Sequence, residues 1–101
     1  MKAYTIFTPS HKILYSDYFL PTLPDEFDLI PLEIPQECKT GSFYSEGWSK
    51  TCYRKVELFY QACKENFGDI FVFYDPDIQF FGNVKNLLIE ELGDYDIACH
   101  M

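Results

Sequence analysis

Apolar and polar positions along this chain fall into blocks whose period switches between two and about three and a half. Ala3 to Phe7 is short, apolar and β-prone, and it ends at Thr8-Pro9-Ser10. That pattern predicts a strand, a turn rich in hydroxyls, and then a helix over about Tyr15 to Leu20 that stops at Pro21. Phe27 to Ile34 alternates in part, with prolines at both margins, so it predicts a strand nearer a sheet edge. Gln36 to Gly47 is polar with no period and predicts a loop. Trp48, Cys52, Val56, Phe59, Cys63 and Phe67 follow at steps of four, four, three, four and four. This stripe predicts an amphipathic helix, with Lys50, Arg54, Glu57, Gln61 and Lys64 opposite, closed by Gly68. Ile70 to Tyr74 is an unbroken apolar run and predicts a central strand buried on both faces. Asn83 is the expected N-cap of a helix over Val84 to Leu92 that Gly93 stops, and residues 96–101 begin another strand.

Strands and helices in this order predict an α/β fold. It would be three layers, α/β/α, around a mostly parallel sheet joined by right-handed crossovers. No repeat or low-complexity segment interrupts it.

Composition narrows the choice of partners. The chain has 101 residues, 48% hydrophobic and 19% aromatic, so it is one domain with a ring-rich core. Sixteen acids against eight bases give a net charge of −8, which argues against nucleic acid as a partner. An anionic substrate would need a metal or a local cluster of bases. Cys38, Cys52, Cys63 and Cys99 form no C-x-x-C pair and predict buried free thiols. No apolar stretch suits a signal peptide or a membrane span, so the expected location is cytoplasmic.

The chemistry concentrates at Asp75-Pro76-Asp77, directly after the apolar run. In open α/β sheets ligands bind beyond the carboxyl ends of the strands. On an extended segment two acids one residue apart share a side and offer hard oxygens to Mg²⁺ or Mn²⁺. The plainer alternative is a surface turn, since Asp and Pro both favour turns. Lys50, Arg54 and Lys55 hold three of the eight bases near the start of the long helix. They suit a diphosphate clamp, or a solvated face on which Arg54 pairs with Glu57. Thr8 and Ser10 offer hydroxyls either to a ligand or to the turn itself. His11 and His100 have no spacing that marks a metal site and read as structural. Phe43, Tyr44 and Trp48 could stack on a base, but among so many rings core packing is the simpler reading.

From Phe71 to Phe81, followed by a short helix and Asp94-Tyr95-Asp96-Ile97-Ala98, the chain resembles nucleotide-sugar glycosyltransferases of the GT-A fold. It is most similar to the nucleotide-diphospho-sugar transferase group. The resemblance implies a Rossmann-like half-fold that binds a UDP- or GDP-sugar together with Mn²⁺ or Mg²⁺. By position, Asp77 would ligate the metal, and Asp75 would hold the ribose or metal-bound water. Thr8, Pro9 and Ser10 would line the base and ribose pocket, and Arg54 or Lys55 would approach the phosphates. Members of this fold are usually more than twice as long, so the resemblance further implies a domain truncated at its C-terminus. Such a domain would lack its acceptor-binding half, and its open sheet edge would invite self-association. Two alternatives stand beside it. One is a haloacid-dehalogenase-like phosphatase with Asp75 as nucleophile, although that motif normally opens its domain. The other is a non-catalytic α/β interaction module in which the acid pair is only a turn.

Overall fold

The computed structural model describes residues 1–37 and 47–99. Three strands form one open, all-parallel sheet: β1 (Lys2–Phe7), β2 (Asp28–Glu33) and β3 (Phe71–Tyr74), in the order β2-β1-β3. β1 is the centre. Five of its six residues are buried, whereas all four residues of β3 are half-buried. The apolar run of β3 is therefore not the doubly covered central strand that its composition predicts. Among the described residues β3 forms one edge of the sheet, so only one of its sides is shared with a neighbour. β2 takes the other edge, as Pro31 at its middle suggests, because proline removes a ladder donor.

Helices cover the two faces unequally. Alternation along β1 and β3 sends Tyr4, Phe71 and Phe73 to one face, and Thr5 and Tyr74 to the other. Helix α2 (Trp48–Glu65) lies on the first face, where Phe59 meets the rings of Phe71 and Phe73 at 6.1 and 5.5 Å. The second face packs against a helical run that starts earlier than the sequence suggests. It begins with a 3-10 turn at Pro9–His11 and one turn of α-helix, α1 (Lys12–Leu14). A π-helical stretch, Tyr15–Phe19, and a second 3-10 turn, Leu20–Thr22, complete it, with Pro21 inside that last turn. Phe19 is fully buried and contacts both Tyr74 and Phe80.

The inward side of α2 is rotated from the stripe seen in the sequence. Thr51, Ala62 and the capping Asn66 are buried, while Val56 is 64% and Phe67 94% exposed. Bulky rings project from the sheet, so the helix approaches through its small residues. Asn66 is drawn inward by chemistry: its Nδ2 donates to the Tyr4 hydroxyl at 2.8 Å and to the Ala62 carbonyl at 2.7 Å.

After β3 the chain doubles back across the second face to α3 (Lys85–Leu92). Its N-terminus is not capped by Asn83. Glu26, just before β2, accepts the backbone N–H of Val84 at 3.1 Å and that of Lys85 through the same Oε1. Upstream, Thr22 Oγ1 accepts the N–H of Phe80 at 3.0 Å. Gly93, with φ +55, ends the helix where the sequence places the stop. Residues 94–99 form no strand and lie exposed, which corrects the expected start of a further strand; residues 100 and 101 lie outside the described set. No helix among the described residues is long and apolar enough to cross a membrane.

Candidate functional site

In the order β2-β1-β3 the chain leaves β1 for β2 and then crosses back past β1 to β3, so the carboxyl ends of β1 and β3 lie side by side. These two strands are neighbours about 4.8 Å apart. Thr8-Pro9-Ser10 emerges from β1 and Asp75-Pro76-Asp77 from β3. Thr5 is level with Tyr74. Extending that register puts Asp75 level with Ile6 and Thr8 two residues further out, roughly 6.6 Å along the strand direction.

The acid pair is not extended as the sequence suggests. Pro76 and Asp77 form a turn, with Pro76 buried and both carboxylates exposed. Pro76 is buried between the two exposed acids, and a turn replaces the extended geometry expected of the pair. Lys55, on α2, reaches Asp75: Nζ lies 3.9 Å from Oδ1, which puts Asp75 on the α2 side of the sheet. Arg54 points elsewhere and donates from Nη1 to Glu57 Oε2 at 3.0 Å. The pairing of Arg54 with Glu57 is thus present, and of the two bases only Lys55 touches the acid pair.

A cavity of about 260 Å³ lies between the segment after β2 and the first turns of α2, and neither the acid pair nor Thr8-Pro9-Ser10 lines it. Ile34, Pro35, Lys50, Thr51 and Arg54 line it, with Glu37 and Glu57. Thr51 is buried because its hydroxyl donates back to the Gly47 carbonyl at 3.1 Å. Four of the eight bases, Lys12, Lys50, Arg54 and Lys55, fall on elements around the carboxyl edge. Three of the four are paired with acids, Lys12 with Glu33, Arg54 with Glu57 and Lys55 with Asp75, so an anion at this edge would have to displace a carboxylate.

At the end of β1, Thr8 is buried and its hydroxyl lies 3.1 Å from both Ser10 Oγ and His11 Nδ1. Ser10 Oγ also lies 3.1 Å from His11 Nδ1, and the Ser10 N–H donates to Gln36 Oε1 at 3.0 Å. Pro9 is exposed at the start of the 3-10 turn. Sequence reasoning set His11 aside because no spacing flagged it. A cluster joined within four residues has no long-range signature.

Asp75 and Asp77 are the residues that could hold a hard cation here. Mg²⁺ keeps much of its water and often takes one or two carboxylates plus substrate phosphates. Two exposed carboxylates on a turn offer that minimal set, and no group of three His, Cys, Asp or Glu residues assembles a cage among the described residues. The thiols do not contribute: Cys52 and Cys63 are half-buried and free, and Cys99 is free but exposed rather than buried. Cys38, Phe43 and Tyr44 lie outside the described residues, while Trp48 is half-buried at the start of α2.

On the second face, Tyr74 sits among Phe19, Phe27 and Phe80. Its hydroxyl is buried with no hydrogen-bond partner among the described residues, as is that of Thr5. Loss of solvation, aided by the nearby Glu26 carboxylate, pushes the Tyr74 phenol up to about 12.

Comparison with known proteins returned no matching family model, no match among curated proteins and no match among solved structures.

Proposed function

We propose that this chain is the nucleotide-sugar-binding half of a metal-dependent glycosyltransferase, with a three-layer GT-A-like arrangement. One observation carries the reading. The hydroxyl-bearing end of β1 and the acid-bearing end of β3 are adjacent at the carboxyl edge of a parallel sheet. In open α/β sheets nucleotide sites recur just beyond the carboxyl ends of the strands.

In this reading Asp77 and Asp75 hold Mg²⁺ or Mn²⁺ together with the diphosphate of a UDP- or GDP-sugar. A divalent cation held there would supply Lewis-acid neutralisation of charge on the departing diphosphate. Lys55, already 3.9 Å from Asp75, would exchange that weak surface pairing for a phosphate oxygen. Thr8, Pro9 and Ser10 would border the nucleoside, and Arg54, once released from Glu57, would line the sugar side of the cavity. The acceptor and the stereochemical course belong to residues beyond this site.

Calorimetry tests the proposal directly. UDP or GDP titrated into the chain should bind with Mg²⁺ or Mn²⁺ and at least tenfold more weakly with chelator. Asp77→Asn should abolish the metal dependence, because the amide offers a neutral oxygen where a charged one is needed. Equal binding with and without metal, or none at millimolar nucleotide, refutes the reading. Hydrolysis of p-nitrophenyl phosphate that disappears in Asp75→Asn would replace it with the phosphatase alternative.

A further inference from the structure

We propose that the outer face of α2 is a homodimer interface, on which a second copy of this chain packs its own α2 in antiparallel orientation. The inference stands apart from the donor-binding reading and from the free edge of β3.

Tyr53, Val56, Tyr60, Cys63 and Phe67 follow at steps of three, four, three and four. That spacing draws one stripe along a helix, the kind of seam that two packed helices share. It lies about a third of a turn round α2 from Thr51, Ala62 and Asn66, which are buried toward the sheet. The sheet therefore leaves it uncovered. Tyr53, Val56 and Tyr60 are 68%, 64% and 63% exposed and Phe67 is 94% exposed, with Cys63 half-buried between them. At roughly 150–250 Å² for each ring, these residues present on the order of 500 Å² of apolar surface per copy. A contiguous apolar patch of several hundred Å² is often functional. Two such faces together reach the roughly 1,000 Å² at which a contact becomes a specific interface. That area is at the small end, so the dimer is expected to be weak, with a micromolar dissociation constant.

Charge selects both the partner and its direction. Lys50, Glu57 and Lys64, seven residues apart, form the polar flank of the stripe. The other flank carries Phe59, which packs on the sheet. In an antiparallel pair of helices the polar flank of one lies along the same flank of the other. With the twofold axis beside Tyr60, Glu57 of each copy falls next to Lys64 of the other. A parallel pair would set this flank against the sheet-facing one and make neither pairing. Existing contacts leave room for both: Arg54 occupies only Oε2 of Glu57, and Lys64 Nζ rests 5.3 Å from the centre of the Tyr60 ring. One stripe and one flank thus serve both partners, as an isologous contact requires.

Sedimentation equilibrium of the intact chain, from about 5 to 500 µM, should show monomer and dimer in exchange. Tyr60→Glu, which brings two carboxylates together at the axis, should leave monomer alone. Glu57→Lys and Lys64→Glu should each weaken association about tenfold, because each sets like charges across the interface. Combining them restores opposite charges and should bring the dissociation constant back to within about threefold of the unaltered chain, which damage to the fold could not do. A chain that stays monomeric throughout overturns the proposal and leaves the stripe to a different protein or to a segment of a longer chain. A dimer that survives Tyr60→Glu, as one joined through the edge of β3 would, overturns it as well. So does a double reversal no better than either single one.

Discussion

Removing the carboxylate of Glu26 should melt α3 locally while leaving the sheet intact. α3 has eight residues, none of them buried, and an isolated helix shorter than about 12 residues is marginal in water. Its stability therefore rests on its ends. At the first turn Glu26 Oε1 accepts two backbone N–H groups, from Val84 and Lys85. Hydrogen bonds to a charged group contribute about 1.5–3 kcal/mol, but water replaces part of that at a half-exposed terminus. Loss of a good N-cap costs about 0.5–2 kcal/mol. We take about 1.5 kcal/mol for Glu26→Ala, which corresponds to a roughly tenfold larger open population. Glu26→Gln keeps an acceptor but loses the attraction to the helix dipole, itself about 0.3–1 kcal/mol, so its effect should be near threefold.

Native-state hydrogen exchange resolves this residue by residue. The amides of Leu88 and Gly93, bonded to the Val84 and Ile89 carbonyls, should exchange about tenfold faster in Glu26→Ala. Amides in β1 should be unchanged, since that strand is held by both neighbours. Phe80 should move less than Leu88, because its N–H is held independently by Thr22. Unchanged exchange in α3, or equal acceleration in β1 and α3, refutes the argument: the first would mean the cap is dispensable, the second that α3 opens only when everything opens.

Two further predictions concern the core. Tyr74, raised to about 12 against an ordinary value of 10, keeps its proton longer when folded than when unfolded. Its contribution to stability is complete below pH 10 and lost as pH rises toward 12, so the denaturation midpoint should fall across that window. Absorbance at 295 nm should show one late-titrating phenol that moves down only partly in Glu26→Gln, since desolvation is the larger cause. Asn66→Ala leaves the Tyr4 hydroxyl without its donor beneath α2 and should cost about 1–3 kcal/mol in urea denaturation. Tyr4→Phe in the same background should then add little, because the two groups share one bond; fully additive losses would refute the coupling.

The parts of this fold legible in the sequence are those that short-range pattern controls. β1, the edge position of β2, the length of α2 and the stop at Gly93 each follow from a period, a proline or a glycine acting within a few residues. What stayed hidden depends on partners far along the chain. An apolar run such as Phe71-Val72-Phe73-Tyr74 records that a strand is unwelcome to water, but not how many neighbours it has. Hence β3 reads as central although it lies at an edge of the described sheet. The stripe of α2 misjudges its inward side because the ring-rich sheet selects small residues, Thr51 and Ala62, and one amide, Asn66. Glu26 caps a helix 58 residues away, which no local cap rule can see. The candidate site divides along the same line. Residue types marked Thr8, Ser10, Asp75 and Asp77, and topology makes them neighbours. By contrast, the Lys55 contact, the Arg54 diversion to Glu57 and the His11 triangle are outcomes of side-chain geometry. The turn at Pro76-Asp77 shows the same limit. A motif in sequence lists donor atoms, whereas the fold sets them here as two exposed carboxylates on a turn with a buried proline between them.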